Sequence, residues 1–295
     1  MLLSTQTDIP ATRLGYAQGI YLLADAGYDV LDFSFFQAHR EGVFDGDESD
    51  VLNFASNILS FAEDAEINFD QTHAPFSFPK QMWDDWEDLI FPITKKAIKA
   101  SAALGAKVVV VHPVQRLNYR RNSARCVEES LKYYRMLRPT AEEAGIKIAL
   151  ENMWQRDVNR DVICPSICSD PKEFCAMVDE LGTDVFTACL DVGHCGLTGW
   201  NAHELVYALG PNRLGALHVH DNDHFHDSHT LPGFGRVDWE AFCRALGEID
   251  YRGTFTLEAD AFYLQIPDES IFPAATDMMY QTGRYLTSRV DAYRR

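Results

Sequence analysis

Positive charge is scarce in this chain: 26 Lys and Arg stand against 44 Asp and Glu, a net charge of −18 over 295 residues. A protein that binds nucleic acid must neutralise a run of phosphates, so a nucleic-acid partner is not expected. Long apolar runs are missing as well. No segment approaches the eighteen or so apolar residues of a membrane span, and MLLSTQTDIPATR lacks the basic start and apolar stretch of a signal peptide, so a cytoplasmic protein with no membrane partner is expected. The seven cysteines are odd in number and lie mostly in hydrophobic segments, which does not fit a disulfide framework. Cys164, Cys168 and Cys175 lack paired CxxC spacing and an obvious fourth partner, so they are read as loop and helix thiols rather than a zinc knot. A glycine-rich first turn is absent too; Gly233-Phe234-Gly235 comes late and alone, weak evidence for a nucleotide site.

What is present is alternation. Short apolar runs at Leu2–Thr5, Val30–Ser34, Phe69–His73, Lys107–His112, Lys147–Glu151, Thr187–Asp191, Leu214–His220 and Thr254–Glu258 are each followed by a helical stretch. Eight such units without a linker or composition shift predict one α/β domain spanning residues 1–295, a (β/α)8 TIM barrel. The spacing predicts a helix over 122–144, with Asn122 as N-cap, Pro139 as a kink and Gly145 as its stop.

Polar residues end these strands: His73, His112, Glu151, Asp191, His218, His220 and Glu258. In a parallel barrel those ends converge on the face where active sites are built. Any one of them has a bland explanation, a carbonyl-bonded core histidine, a capping carboxylate or an Asx turn at Asp191. Three carboxylates at the buried ends of three apolar strands are another matter, because each costs several kcal/mol unless paired or coordinated. Histidines on other strand ends supply the nitrogen ligands that accompany carboxylates on Zn, Mn, Co or Fe. A divalent metal site is therefore expected. His218 and His220, two residues apart in a strand, point to one side at different heights; His224 and His226 are expected in a solvated loop, and Asp227 and His229 can return to the centre if that loop folds back.

The phrases THAPF, VVVVHP, ALENMW, CLDVGH, LHVHDND, DSHTLPGFGRVDW and GTFTLEAD, in this order, resemble the xylose isomerase-like barrel superfamily. That superfamily includes sugar isomerases, sugar and sugar-phosphate epimerases, inosose-processing enzymes and zinc-dependent apurinic endonucleases. The resemblance implies two ligand patterns. In the epimerase pattern one ion would be held by Glu151, Asp191, His220 and Glu258, with His194 and Asp157 on the substrate; His226 stands where those enzymes carry an arginine. In the endonuclease pattern His73, His112, Glu151, Asp191, His194, His218, Asp227, His229 and Glu258 would hold three zinc ions. One to three ions of Zn, Mn, Co, Fe or Mg are thus expected.

The resemblance further implies a metal-dependent isomerase or epimerase of a small sugar, sugar phosphate or cyclitol, with Glu151 and Glu258 exchanging protons with carbon. Trp154, Phe234 and Phe262 are candidates to stack on a sugar, and Arg156 to bind a carboxylate or phosphate. A multinuclear phosphoester hydrolase and a non-catalytic sugar or metal binder are the alternatives. Aromatics in PFSFPKQMWDDWEDLIF hint at a surface for a second copy in a homo-oligomer.

Overall fold

The computed structural model describes residues 1–76, 78–157 and 159–294. Its parallel strands are β1 (Leu3–Thr5), β2 (Leu31–Ser34), β3 (Phe69–His73), β4 (Val108–Val111), β5 (Lys147–Glu151), β8 (Phe186–Asp191), β9 (Leu214–His218) and β10 (Phe255–Leu257); β6 (Trp154–Asp157) and β7 (Val162–Pro165) form an antiparallel hairpin. Strands β2, β3, β4, β5, β8 and β9 pair side by side, and β1 pairs with β10. Two single bridges, Gln6 to Asp32 and Val219 to Leu257, join these sheets into a closed eight-stranded ring. The fold is a TIM barrel, and its eight strands are the eight apolar runs of the sequence.

The strands form because they are β-branched and buried on both faces, as in the all-valine β4, buried along its whole length. Alternation sends Val108 and Val110 inward, where they pack with Ala149, Cys189 and Ala216 in a core of small side chains. Val109, Val111, Ile148, Leu150 and Leu217 face the helices and join the larger outer core. Each fully buried aliphatic side chain contributes about 1.5–3 kcal/mol, so the ring is a stiff mount for whatever sits at its ends.

The long helix differs from its expected form. It begins at Tyr119, one turn early, and Asn122 is a break inside it with φ −140° and ψ 28°. The Asn122 side chain donates to the Asn118 carbonyl (2.9 Å) instead of capping the helix. Pro139 does not divide the helix, whose backbone stays helical there, and Gly145 ends it as expected. The aromatics of residues 75–91 mostly turn inward. Trp86 packs on Tyr133, Phe78 on Trp83 and His39, and Phe76 on His73 and His112; Trp86 is buried, Phe78, Trp83 and Phe91 are half-buried, and Phe76 and Leu89 stay exposed; Ser77 lies outside the described residues. All seven cysteines are free thiols.

Candidate metal centre

Four neighbouring strands deliver four candidate ligands in a row: Glu151 ends β5, Asp191 ends β8, His218 ends β9 and Glu258 follows β10. These four offer ligand atoms that all lie within 4.8 Å of one another. His218 Nδ1 is 3.2 Å from Glu258 Oε2 and 3.5 Å from Glu151 Oε2. The histidine of this four-membered group is His218, whereas the epimerase pattern had been threaded through His220. Strand β9 ends at His218, and His220 stands one storey higher, with its Nε2 3.0 Å from Asp191 Oδ1. His220 fits there because residue 193 is glycine; a Cβ at Gly193 would fall 2.1 Å from the imidazole.

A second group surrounds the first. His73 with Glu151 and His218 forms one cluster of possible ligands, and His194, His220, Asp227 and His229 form another. His112 Nε2 approaches Glu151 Oε2 at 3.1 Å. Asp227 lies 3.4 Å from His194 Nε2 and 3.3 Å from His229 Nε2. Every strand-end residue named from the sequence as a ligand is therefore in this one place. Asp191 also caps the helix Val192–Leu197 through the His194 amide (2.7 Å), so its bland role and its site role coexist.

The histidine tautomers follow from their partners. His73 Nδ1 faces the Ala74 carbonyl at 2.7 Å, His194 Nδ1 the Asn152 carbonyl at 2.8 Å, and His229 Nδ1 the Glu258 carbonyl at 3.0 Å. A carbonyl only accepts, so each Nδ1 carries a proton, and each Nε2, facing Glu151 or Asp227, is the nitrogen left for a cation once any proton there is displaced. Neutral imidazoles oriented by backbone carbonyls are what metal ligation requires. Glu151 Oε2, Glu258 Oε2, Asp227 Oδ1, both nitrogens of His218 and Nδ1 of His220 are buried without a hydrogen-bond partner. Such atoms are costly when left unpaired, and divalent cations would satisfy them, so the residues present fit the group the sequence implies.

Charges here are strongly coupled. Burial opposes ionisation throughout, yet His194 and His220 hold Asp191 down to about 2, and His112 and His218 hold Glu151 well below the usual range. Burial, with Glu151 and Asp191 nearby, pushes Glu258 well up. Burial likewise opposes the charged form of His194, but Asp191 and Asp227 outweigh it and push the imidazole up to about 10.

Below the cluster, fully buried Asp32 on β2 accepts from Gln71 Nε2 (2.8 Å) and stands 3.7 Å from His218 Nε2. At that distance Asp32 is a neighbouring charge rather than a hydrogen-bond partner; its field favours a proton on Nε2, with Nδ1 toward Glu151 and Glu258. Asp32→Asn is expected to weaken divalent-metal affinity by about 10–100-fold, measured by calorimetry, with the circular dichroism spectrum unchanged.

The histidine-rich stretch is a loop closed at its base by an antiparallel bridge between Asp221 and Thr230, which returns Asp227 and His229 to the centre. Asp221 is fully buried and accepts from the amides of Asn222, Gly233 and Val237 and from Trp239 Nε1, at 2.9–3.1 Å. Gly235 passes so close that a Cβ would lie 2.3 Å from Asp221 Oδ1, so the Gly-Phe-Gly turn wraps a carboxylate and is no nucleotide loop. Asp221→Ala strands four donors and is expected to cost about 3 kcal/mol or more, read from the urea midpoint, and to lower metal affinity by freeing Asp227 and His229.

A cavity of about 440 Å³ opens over the cluster, lined by Glu151, Glu258, Asp227, His73, His112, His194 and His229 and walled by Trp154 and Arg156 of the β6–β7 hairpin. Trp154 Nε1 donates to Asp227 Oδ2 at 2.9 Å, which anchors the hairpin to the site. Arg156 is paired with Asp161. Asp157 does not line this cavity; its Oδ1 accepts the amides of Asn159 and Arg160 in its own turn. Phe234 does not line it either, being 61% exposed beside Phe262, because the turn that carries it is committed to Asp221. His226 is exposed as expected, whereas His224 is half-buried over Gly196.

Sequence reasoning missed several residues. Gln6 Nε2 donates to Glu258 Oε1 at 2.6 Å and fixes that carboxylate; Asn152 ties β5 to β8 through both its amide atoms and the Asp191 backbone. Asp8, Arg40, Phe36, Phe76 and Asp260 line the cavity as well. The only signal was position, each lying in the segment that follows a strand end; Asp8 opens the helix Asp8–Leu14, and Phe36 and Arg40 bound the short helix Phe36–Arg40.

The model of the xylose isomerase-like TIM barrel family matches residues 20–282. The chain belongs to that family. Within it, an uncharacterised protein of Methanocaldococcus jannaschii is 30% identical over 194 residues, 63% of this chain and 62% of the relative, so the match spans under two thirds of that protein. A D-psicose 3-epimerase of Enterocloster bolteae is 27% identical over 130 residues, 44% of this chain and 38% of the relative. Among solved structures, a D-tagatose 3-epimerase-like protein superposes with a TM-score of 0.72 at 18% identity, covering 98% of this chain and all of that one. No helix among the described residues is long and apolar enough to cross a membrane.

Proposed function

We propose that this protein is a divalent-metal-dependent epimerase or isomerase of a small sugar, sugar phosphate or cyclitol. The observation that carries the proposal is the set Glu151, Asp191, His218 and Glu258 at the floor of a sugar-sized cavity, with both glutamates lining it. Epimerase names among the relatives and structural neighbours support it. These four residues would hold the ion, whose Lewis acidity would polarise a substrate carbonyl and acidify the neighbouring C–H. Glu151 and Glu258 approach His218 Nδ1 from separate strands, so a substrate carbon between them can lose a proton to one carboxylate and receive one from the other. His194 Nε2 and Trp154 face the cavity and orient the hydroxyls and ring face of the sugar. Hairpin β6–β7 walls one side of the cavity through Trp154 and Arg156.

The test is incubation of the metal-loaded protein with ketoses in deuterated water. The expected result is conversion to an epimer or aldose with solvent deuterium at the carbon beside the carbonyl; conversion without deuterium uptake would exclude exchange through solvent-accessible carboxylates.

A second reading has its own observation. The complete nine-residue set, with His73 and His112 beside Glu151 and with His194, Asp227 and His229 grouped above, offers room for two or three ions. In a multinuclear phosphoester hydrolase such ions would activate water and stabilise the leaving oxygen. Metal content separates the two. One ion per chain excludes the hydrolase, while two or three favour it.

A further inference from the structure

Two more carboxyl groups line the cavity outside every cluster of possible metal ligands. Asp8 follows β1 and Asp260 follows β10; those strands pair, so the two stand on one wall, with Asp260 Oδ2 accepting the Ile9 amide at 3.2 Å. Both are more than nine-tenths buried. Asp8 Oδ1 has no hydrogen-bond partner, the Arg40 guanidinium standing off at 3.5 Å. The other arginine at the cavity, Arg156, is already held by two contacts to Asp161.

Asp8 Oδ1 is left without a donor and Asp260 Oδ2 takes only the Ile9 amide, so this wall has acceptor capacity to spare. A polyol tail supplies hydroxyl donors. A phosphate or carboxylate group brings further acceptors and negative charge, and like charges brought together at an interface cost several kcal/mol. We propose that Asp8 and Asp260 form the subsite for hydroxyls at the non-reacting end of an uncharged polyhydroxy ketone, and that they select such substrates against their phosphorylated counterparts. This rests on the epimerase or isomerase function proposed above.

The experiment uses the metal-loaded full chain with D-fructose, D-tagatose and D-allulose, each beside its 6-phosphate, on wild type, Asp8→Asn and Asp260→Asn. The wild type is expected to prefer a free ketose over its phosphate by at least about 100-fold in kcat/KM, as a like-charge penalty of several kcal/mol implies. Each variant is expected to raise KM for the free ketose about tenfold, with most of the loss in KM rather than kcat, and to narrow the preference. Equal or better use of the phosphates, or variants that fold and bind metal but keep the wild-type preference, overturns the subsite. If a variant fails to fold, the wild-type preference still decides. If no ketose turns over at all, the proposed reaction fails separately; calorimetric binding of D-sorbitol against D-sorbitol 6-phosphate then tests the subsite alone, with tighter binding of the phosphate overturning it.

Discussion

Glu258→Gln is expected to lower kcat by about 10³-fold or more while ketose binding stays within about tenfold, measured as epimer formation and by calorimetry. General acid–base exchange is worth about 10²–10⁴-fold, and this residue is also a proposed ligand. Glutamine keeps the size of the side chain and the contact with Gln6, which now reaches Oε1 at 2.6 Å, so the cavity wall should persist. What disappears is the carboxylate 3.2 Å from His218 Nδ1. The complementary change Glu151→Gln should act alike, since either glutamate alone leaves the proton exchange incomplete. If the wild type exchanges no substrate C–H proton, and the glutamine variant binds sugar equally well, the protein is a binder on an enzyme fold and not a catalyst.

Removing divalent metal with a chelator is expected to abolish turnover and to lower the melting temperature by several degrees, both restored by re-adding the ion. A ligand at about 100 times its Kd stabilises by about 2.7 kcal/mol, which in a chain of this size is roughly 4–5 °C. The effect carries a pH signature. In the metal-free protein burial favours a neutral His194, but Asp191 and Asp227 raise its pKa to about 10, above the unfolded value of about 6.5. A raised folded pKa contributes stability that is fully present below about pH 6.5 and is lost as the pH rises through about 10. An ion held by Glu151 and Asp191, which stand 3.5 and 3.7 Å from His194 Nδ1, repels the positive charge on that imidazole, so metal affinity rises over the same interval. Asp191, held down to about 2, is already ionised and releases nothing. The gap in melting temperature between loaded and stripped protein should therefore widen from pH 6.5 to 9, and metal uptake at pH 7.5 should release protons, seen as a buffer-dependent calorimetric enthalpy. A gap that narrows with pH would contradict this charge coupling between the ion and His194.

The barrel was legible because each strand is a short apolar run buried on both faces, a pattern that survives without knowledge of its neighbours. The ligands were legible for the related reason that a polar residue closing such a run has nowhere else to go. His218 and His220 could not be ranked, since a period of two puts both on one side, and their heights depend on the stagger between β9 and its neighbours β8 and β10. The β6–β7 hairpin was hidden because its strands, WQRD and VICP, are four residues each and mostly half-exposed, without the alternation that marks a strand. Asp8 and Asp260 look like turn aspartates in the sequence, and Asp32 is one polar residue inside the Val30–Ser34 run; only the ring closure through β1, β2 and β10 brings the three to the site. Phe234 was misjudged because the course of its loop is set by Asp221, whose four donors come from residues up to eighteen positions away.

Anomalous diffraction from crystals of the metal-loaded protein tests the central claim most directly, because it counts ions and identifies their ligands together. The expected result is strong density bounded by Glu151, Asp191, His218 and Glu258, with His220 outside its coordination shell. Density absent from that position, or present only among His194, His220, Asp227 and His229, would contradict the account.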